Sequence, residues 1–569
     1  MQFSRSRKKT TRSARQDICR RPLKRRRLSI DCLEDRQLLS AGSLATPGTG
    51  FQVNTYTAGT ETTNGANGFN IVSTVSPRAV AMDSNGDAAV VWLSPDANGD
   101  GNWTLMFQLY TATSPGTANA TLTPQGGNTV VTSDILSMQN RQGVGVSPAF
   151  HVARAAGGDF VLLWDKATLI SGSSNNYSYS TYAQVYGASG TALTGTILVA
   201  SGSNVAKSVA MNDNGFDVLY GAIGKARQSS SGYTLTMQRY TDAGSTVGKP
   251  ISVVTPALQN DEASISMDST GNSVVVWDDI NSSGQYLIRA QRYNGSGQAQ
   301  GGVIQVNPTA TANIQDDSNV AMDPATGDFV VAWQEWMTDP SGHIVGLCNV
   351  YARQFSANGT PVPTETNSAI TVATATFASF TGTDGKTYYF GTGGMPANDS
   401  IGVAALPAGN GAFDVSWTNV YDTLQPSSST SGYTTIAHDD IYAATYAADS
   451  SGTALQSIQV TTNGNGNQFS SAAIDAGNDL LVVFSGPPPV TGTSDTGDVF
   501  GQFYADPPAP QSGSSTGSSS GSAFSPRGPS TPDPWQTADS VPPVAFENSF
   551  VDEDVLNALV RGHTARRWR

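Results

Sequence analysis

The sequence predicts an all-β chain, a seven-bladed β-propeller with four-stranded blades and an N-terminal strand completing the last blade. Three observations carry that expectation. A two-part pattern, SNVAMDPATGDFVVAW at 318–333 and NVYARQFSANGT at 349–360, recurs in variants from Ala79 to Tyr504, and internal similarity of this kind marks stacked supersecondary units. The aromatic closing the second apolar run of each unit stands at Trp92, Trp164, Tyr220, Trp277, Trp333, Trp417 and Phe484, separated by 72, 56, 57, 56, 84 and 67 residues. A basal unit near 56 residues therefore repeats seven times, with insertions. Finally, FQVN at 51–54 resembles the unit ends IQVN at 304–307 and IQVTT at 458–462, whereas the seventh unit stops without such a segment. The fragment that begins the repeats is the one that their end lacks.

Each unit holds four strand candidates. The first alternates, as at Val320 and Met322, and runs into a turn of Asp, Asn and Gly. The second, Val274 to Trp277 or Phe329 to Trp333, is continuously apolar and so is expected to be buried on both faces. In the third, Tyr351, Arg353 and Phe355 put bulk on one face and Val350, Ala352 and Gln354 put smaller or polar groups on the other. The fourth follows a SANGT-like turn and is short and apolar. Sheets of this kind need neighbours on both sides, and a radial arrangement of four to eight of them supplies these without leaving an open end. A linear array is the alternative; it calls for polar capping units, and neither terminal repeat is unusually polar.

Composition agrees. Charged residues make up 13% of the 569, and the balance favours turn and strand residues over helix formers. The net charge of −14 divides unevenly. Residues 1–42 hold thirteen Lys or Arg against four Asp or Glu, which leaves −23 on the rest. An acidic body repels nucleic acid, and no nucleic-acid-reading motif accompanies the basic head. Three cysteines, Cys19, Cys32 and Cys348, make neither a disulfide framework nor a zinc spacing. No apolar run is long enough for a transmembrane segment.

Residues 1–45 are expected to be a basic, unfolded segment. Asp31, Glu34, Asp35 and Arg36 interrupt the apolar stretch a secretory signal would need. Residues 46–508 form the seven units. Residues 509–549, rich in Ser, Gly and Pro, cannot bury enough surface to offset the entropy of ordering and are expected to be a linker. Within 550–569, Val551, Val555, Leu556, Leu559 and Val560 recur at helical spacing, with acids first and Arg561 last, which predicts a short amphipathic helix before a basic tail.

The segment RRRLSIDCLEDRQLLSAG at 25–42 resembles the N-terminal export-associated motif of planctomycete surface proteins through Arg26, Arg27, Leu28, Leu33, Glu34, Asp35, Arg36, Leu38, Leu39 and Ser40. The units from 51 to 508 are similar to a mostly uncharacterised family of bacterial extracellular repeats of the form VAMD-x-x-GDFVVVW, YAQRY-x-x-GT and IQVN. These resemblances imply a secreted or envelope-associated protein with removal of the head near Ala41. They bring no catalytic residue.

The candidate chemistry is sparse. Four loops, Asp83–Asp87, Asp268–Asn272, Asp323–Asp328 and Asp475–Asp479, carry oxygen ligands, but Asn, Asp and Gly are also what such turns require, and turn geometry is the simpler account. DANGDGNW at 96–103 spaces Asp96, Asn98, Asp100 and Asn102 at alternate positions with Gly101 sixth, like the first half of an EF-hand loop, yet Phe107 replaces the twelfth-position glutamate. This is a calcium candidate that needs an oxygen from elsewhere, or else a plain hairpin. Trp103, Tyr177 and Trp336 fall in irregular connections and are candidates for ligand contact, as are His438, Asp439 and Asp440, whose cheaper reading is an exposed loop. The regular aromatics are expected to be blade core, each Trp offering an N–H that needs a partner. No serine elbow, phosphate loop or zincin motif is present. The expectation is a binding or structural protein presenting loops to an extracellular protein or glycan. The alternative is a carbohydrate-active hydrolase or lyase, which requires facing carboxyl groups with separated pKa values.

Overall fold

The computed structural model describes residues 50–54, 78–95, 102–136, 149–170, 177–202, 204–222, 233–257, 263–308, 313–338, 344–362, 369–383, 385, 387–396, 401–405, 412–426, 433–446, 454–461, 468–486 and 498–505. All lie in the compact unit Gly42–Arg569. The expectations for residues 1–45, 509–549 and 550–569 fall outside the described residues.

Seven four-stranded antiparallel blades follow one another along the chain. Blade one is Val80–Met82, Ala88–Pro95, Asn102–Thr113 and Thr121–Leu136; blade two is Phe150–Arg154, Phe160–Leu169, Tyr177–Tyr186 and Ile197–Gly202. Blade three is Asn204–Asn212, Gly215–Ala222, Tyr233–Thr241 and Thr246–Ala257; blade four is Ala263–Met267, Ser273–Ile280, Tyr286–Tyr293 and Ala299–Gln305. Blade five is Gln315–Met322, Phe329–Thr338, Ile344–Phe355 and Ile370–Ala373; blade six is Gly402–Ala405, Phe413–Pro426, Tyr433–Tyr446 and Ala454–Gln459. Blade seven is Gln468–Ile474, Leu480–Gly486 and Asp498–Tyr504, completed by Phe51–Gln52 from the N-terminal side. The first strand of each blade touches the first strand of the blade before and after it, and that of blade seven touches that of blade one. The seven first strands therefore form a closed ring around an axis.

The closure is built from specific bonds. Phe51 pairs with Gly501 and Gln52 with Phe500. Val53 N–H donates to the Val499 carbonyl at 2.8 Å. The Asn54 amide donates to Asp498 Oδ1 at 2.7 Å, and its Oδ1 accepts the Val499 N–H at 2.9 Å. The Phe51 ring lies 5.0 Å from that of Tyr110, so the closing strand also packs on blade one. The same device recurs inside other blades: Ile288 N–H donates to Asn307 Oδ1, and Ile441 N–H donates to Thr461 Oγ1. The polar residue ending FQVN, IQVN and IQVT thus holds a backbone N–H of the neighbouring third strand.

Neighbouring second and third strands carry two aromatic rungs. Trp164 stacks with Tyr182, Trp333 meets Tyr351 and Trp417 stacks with Tyr442, while four residues nearer the turn Phe160, Phe329 and Phe413 stack with Tyr186, Phe355 and Tyr446. The indole Nε1 atoms of Trp92, Trp333 and Trp417 have no hydrogen-bond partner among the described residues, contrary to expectation. Tyr220 is only half-buried, unlike the buried Trp92, Trp164, Trp277, Trp333, Trp417 and Phe484, so in blade three the position edges the core. The third strand is buried on both faces, since it too lies between two blades; Arg353 and Gln354 are both enclosed. The fourth strand is the exposed rim, where Val130, Leu198, Val303 and Leu455 face outward.

A meander that reverses three times places its first and third turns on one face of the ring and its middle turn, with the connection to the next blade, on the other. The first turns of blades one, four and seven are short and alike. Asp83 Oδ1 accepts the N–H groups of Asn85 and Asp87, Asp268 Oδ1 those of Thr270 and Asn272, and Asp475 Oδ1 those of Gly477 and Asp479. These are Asx turns, as expected. They also join the blades. Gly158 of blade two, at φ +97°, approaches Asp83 of blade one so closely that a Cβ would stand 3.1 Å from its Oδ2. The opposite face carries the long connections, including a two-stranded hairpin, Thr376–Thr381 with Thr387–Gly393, between blades five and six.

Candidate functional site

A cavity of about 230 Å³ occupies the axis and is lined by the first strand of every blade. Its layers follow the strand register. Small residues, among them Ala81, Ala153, Ala210, Ser266, Ala404 and Ala473, form a narrow band; beyond them Met82, Met211, Met267 and Met322 with Ile474 make an apolar collar. Asp83, Asp213 and Asp268 stand at the mouth. All three are engaged. Asp83 Oδ2 takes Arg154 Nε at 3.1 Å and Nη2 at 2.9 Å in a buried ion pair between blades one and two. Asp213 Oδ1 accepts the Gly157 N–H at 2.8 Å, and Asp268 accepts hydrogen bonds through both oxygens from its own turn.

Arg78 forms the floor. It precedes the first strand of blade one, and its Nη2 reaches blades four and five, donating to Ser264 Oγ at 3.0 Å, to Asn319 Oδ1 at 3.2 Å and to the Val320 carbonyl. Asn319 continues the link to blade six by donating from Nδ2 to the Ile401 carbonyl at 3.0 Å, and Ala79 N–H donates to Ser471 Oγ of blade seven at 3.2 Å. A single guanidinium thus ties one side of the ring to the other. Burial lowers its pKa to about 10. His151, fully buried in blade two, accepts the Arg78 N–H at Nδ1 over 3.5 Å. Burial, with Arg78 and then Lys207 nearby, drives the imidazole pKa down to about 3. The ring is therefore neutral with its proton on Nε2, and that atom has no hydrogen-bond partner among the described residues.

The second candidate region lies on the loop face at blade six. The inserted hairpin stacks Phe380 on Tyr388 at 5.3 Å, with Phe390 at 6.2 Å, all half-buried. It docks on the long second strand of blade six: Gly391 N–H donates to Asp422 Oδ2 at 3.0 Å and Gly394 N–H to Asn419 Oδ1 at 2.9 Å. Beside this junction Tyr421 stacks on His438 at 4.9 Å, and His438 Nε2 lies 3.1 Å from Thr423 Oγ1. Burial raises the Asp422 pKa, a rise opposed by the Gly391 hydrogen bond and by His438. Asp422 Oδ1 has no hydrogen-bond partner among the described residues.

Several sequence candidates require correction. Trp103 is buried, not presented, because the second and third strands of blade one extend to Pro95 and Asn102 and place it between Pro95 and Ile135. Trp336 is buried likewise; the second strand of blade five runs on to Thr338, and the indole Nε1 donates to Asp316 Oδ1 at 2.9 Å. His438, Asp439 and Asp440 lie in a strand, Tyr433–Tyr446, not an exposed loop. Asp440 is buried, accepting from Thr461 Oγ1 and Gln459 Nε2, in the place that Asp498 holds beside Asn54 in blade seven. Its role is to hold the outer strand. Asp439 and His438 are half-buried. Tyr177 begins the third strand of blade two opposite Leu169. Asn102 begins that of blade one opposite Leu136, while Asp96, Asn98 and Asp100 lie outside the described residues. No group of three His, Cys, Asp or Glu that could hold a metal occurs among the described residues.

Sequence reasoning missed Arg78, His151 and Asp422. For His151 alone a signal was available, the register: Ala79, His151, Ser208, Ser264, Asn319, Gly402 and Ser471 occupy the same place before the V-A-M type segment, and five of the seven are polar.

No family model matches the chain, and no curated protein matches it. Solved structures do resemble it. An ulvan lyase is 11% identical, with 80% of this chain and 95% of that chain covered, at a TM-score of 0.42. The α-L-arabinanase of Penicillium chrysogenum is 11% identical over 81% of this chain and 98% of that chain, at a TM-score of 0.35. A Hadza microbial sialidase is 13% identical over 72% and 74%, also at 0.35. With TM-scores below one half, these likenesses carry no inference about what this chain binds or does.

Proposed function

We propose that this is an exported binding propeller that presents its loop face to an extracellular protein or glycan. The observation that carries the reading is where the units differ. The first turns are closed by their own Asp side chains in blades one, four and seven, whereas the aromatic hairpin and the long second and third strands of blade six, 14 residues each, project from the other face. A rigid ring bearing variable connections on one side is the usual support for recognition. Half-buried Phe380, Tyr388 and Phe390 offer ring faces suited to the apolar face of a sugar or to a peptide side chain. Export rests on the resemblance of residues 25–42 to an export-associated motif.

The test is binding of the labelled full chain to arrayed envelope glycans and extracellular proteins, repeated with Phe380→Ala/Tyr388→Ala. Loss of the wild-type signals in the double variant, with unchanged melting, supports the loop face. Undiminished binding removes it. Asp422 beside His438 is the observation that favours the second reading, a carbohydrate-active hydrolase or lyase. Release of reducing ends or unsaturated products from a polysaccharide panel, abolished by Asp422→Asn, would establish that reading instead.

A further inference from the structure

The floor of the axial cavity holds a positive charge that no carboxylate among the described residues balances. Arg78 lies deep in the channel, yet its three Nη2 acceptors are all neutral: a hydroxyl, an amide oxygen and a backbone carbonyl. No carboxylate pairs with it among the described residues. The acids in the cavity wall, Asp83, Asp213 and Asp268, are committed to Arg154, Gly157 and the Asp268 turn. An enclosed charge without a counter-charge is costly, and such groups are ordinarily paired. Burial lowers the Arg78 pKa to about 10. Arg78 also keeps part of its surface open to the cavity. Next to it, His151 is held neutral by burial and two cations, with a second buried donor, Nε2–H, unpartnered among the described residues.

We propose that the axial cavity binds an oxyanion, a sulfate, phosphate or carboxylate group, seated on the Arg78 guanidinium. A guanidinium presents a planar fork of N–H donors that matches these groups, and among the described residues only Nη2 is taken up by the protein. The cavity runs from Arg78 past the methionine collar to the short turns at Asp83 and Asp268, and the anion enters along it from that face. This site lies apart from the loop face and does not depend on the function proposed for it. Bound there, an anion ties blades one, four and five through one shared cation, so occupancy stabilises the closed ring.

The experiment is thermal unfolding of the full chain titrated with sodium sulfate and, separately, with sodium glucuronate, at an ionic strength held constant with sodium chloride. Either anion should raise the melting temperature saturably, and Arg78→Met should move the half-saturating concentration at least tenfold upward. A response to sulfate alone assigns the site to a free inorganic ion; a stronger response to glucuronate assigns it to an acidic sugar. No response beyond that of chloride, or the same response in Arg78→Met, overturns the proposal. Should that variant fail to fold, crystals of the native chain soaked in selenate decide the matter: an anomalous peak at hydrogen-bonding distance from the guanidinium is expected, and an empty cavity refutes the assignment.

Discussion

Replacement of Asn54 by Ala probes the bond that shuts the ring. Asn54 is 3% exposed and makes two hydrogen bonds across the seam, one to the Asp498 carboxylate and one from the Val499 N–H. A hydrogen bond to a charged group contributes about 2 kcal/mol and a neutral one about 1 kcal/mol, so the substitution should weaken the seam by about 3 kcal/mol. The strand is also retained by two paired residues, the Val53 N–H bond to Val499, the Asn128 amide donating to the Val53 carbonyl at 3.2 Å, and the Phe51 and Val53 side chains. A loss of about 3 kcal/mol is roughly a hundredfold in the opening equilibrium. Hydrogen exchange of the peptide covering 498–504 should accelerate by about that factor, with the third strands of blades three and four unchanged. Asn307→Ala is the matched control. It removes the equivalent bond to Ile288, but the outer strand of blade four remains joined to its neighbour by a short turn, and exchange at 498–504 should stay slow. Equal exchange at 498–504 in wild type and Asn54→Ala would refute the idea that this seam limits the ring.

Three further outcomes follow from the blade junctions. Gly477→Ala should destabilise by about 3 kcal/mol, because its Cβ would stand 2.4 Å from the Gly116 Cα of blade one, whereas Gly127→Ala, with nothing within 4 Å, should change melting by much less. Arg154→Met should cost about 3–5 kcal/mol in chemical denaturation by leaving Asp83 buried and unpaired, and adding Asp83→Asn should recover most of it, since the amide oxygen can still close the turn. Asp414, whose pKa burial raises to about 7 against the hydrogen bond from Thr445, destabilises the fold when ionised: the penalty is absent below pH 3.8, grows as pH rises and is complete above about 7. Asp414→Asn should therefore raise the melting temperature at pH 8 and lower or leave it at pH 5, with a span of up to about 4 kcal/mol between the two limits.

The blade count and the closure were legible because each rests on local pattern. Continuously apolar second strands such as Val274 to Trp277 announce burial between sheets, and the likeness of FQVN to IQVN announces a shared place in the blade. Asn54 and Asn307 do hold equivalent backbone N–H groups. The candidate contacts are less legible because irregular spacing does not separate an exposed connection from a longer buried strand. Trp103 and Trp336 are irregular since their strands run longer than the repeat, and a longer strand between two blades stays buried. Arg78 was illegible for another reason. Ser-Pro-Arg-Ala-Val contains no pattern; the guanidinium gains meaning only from Ser264 and Asn319, 186 and 241 residues away, which the ring brings to its axis.

The distribution of carboxylates also limits where chemistry can reside. Asp83 closes its turn with one oxygen and binds Arg154 with the other, and Asp268 uses both oxygens within its turn. Groups so occupied hold the blades in place but have no lone pair directed at a substrate. Asp475 keeps Oδ2 without a hydrogen bond among the described residues, and burial, with Asp479 and Asp83 nearby, pushes its pKa up to about 6. Yet that oxygen faces Gly86 of blade one at the blade junction, where a Cβ would come within 2.7 Å of it, so the spare oxygen meets protein. Asp83, Asp268 and Asp475 are thus assigned to assembly. In the binding function proposed above, recognition falls to residues that occur once, Arg78 on the axis and the aromatic hairpin with Asp422 on the loop face, where the repeat is broken.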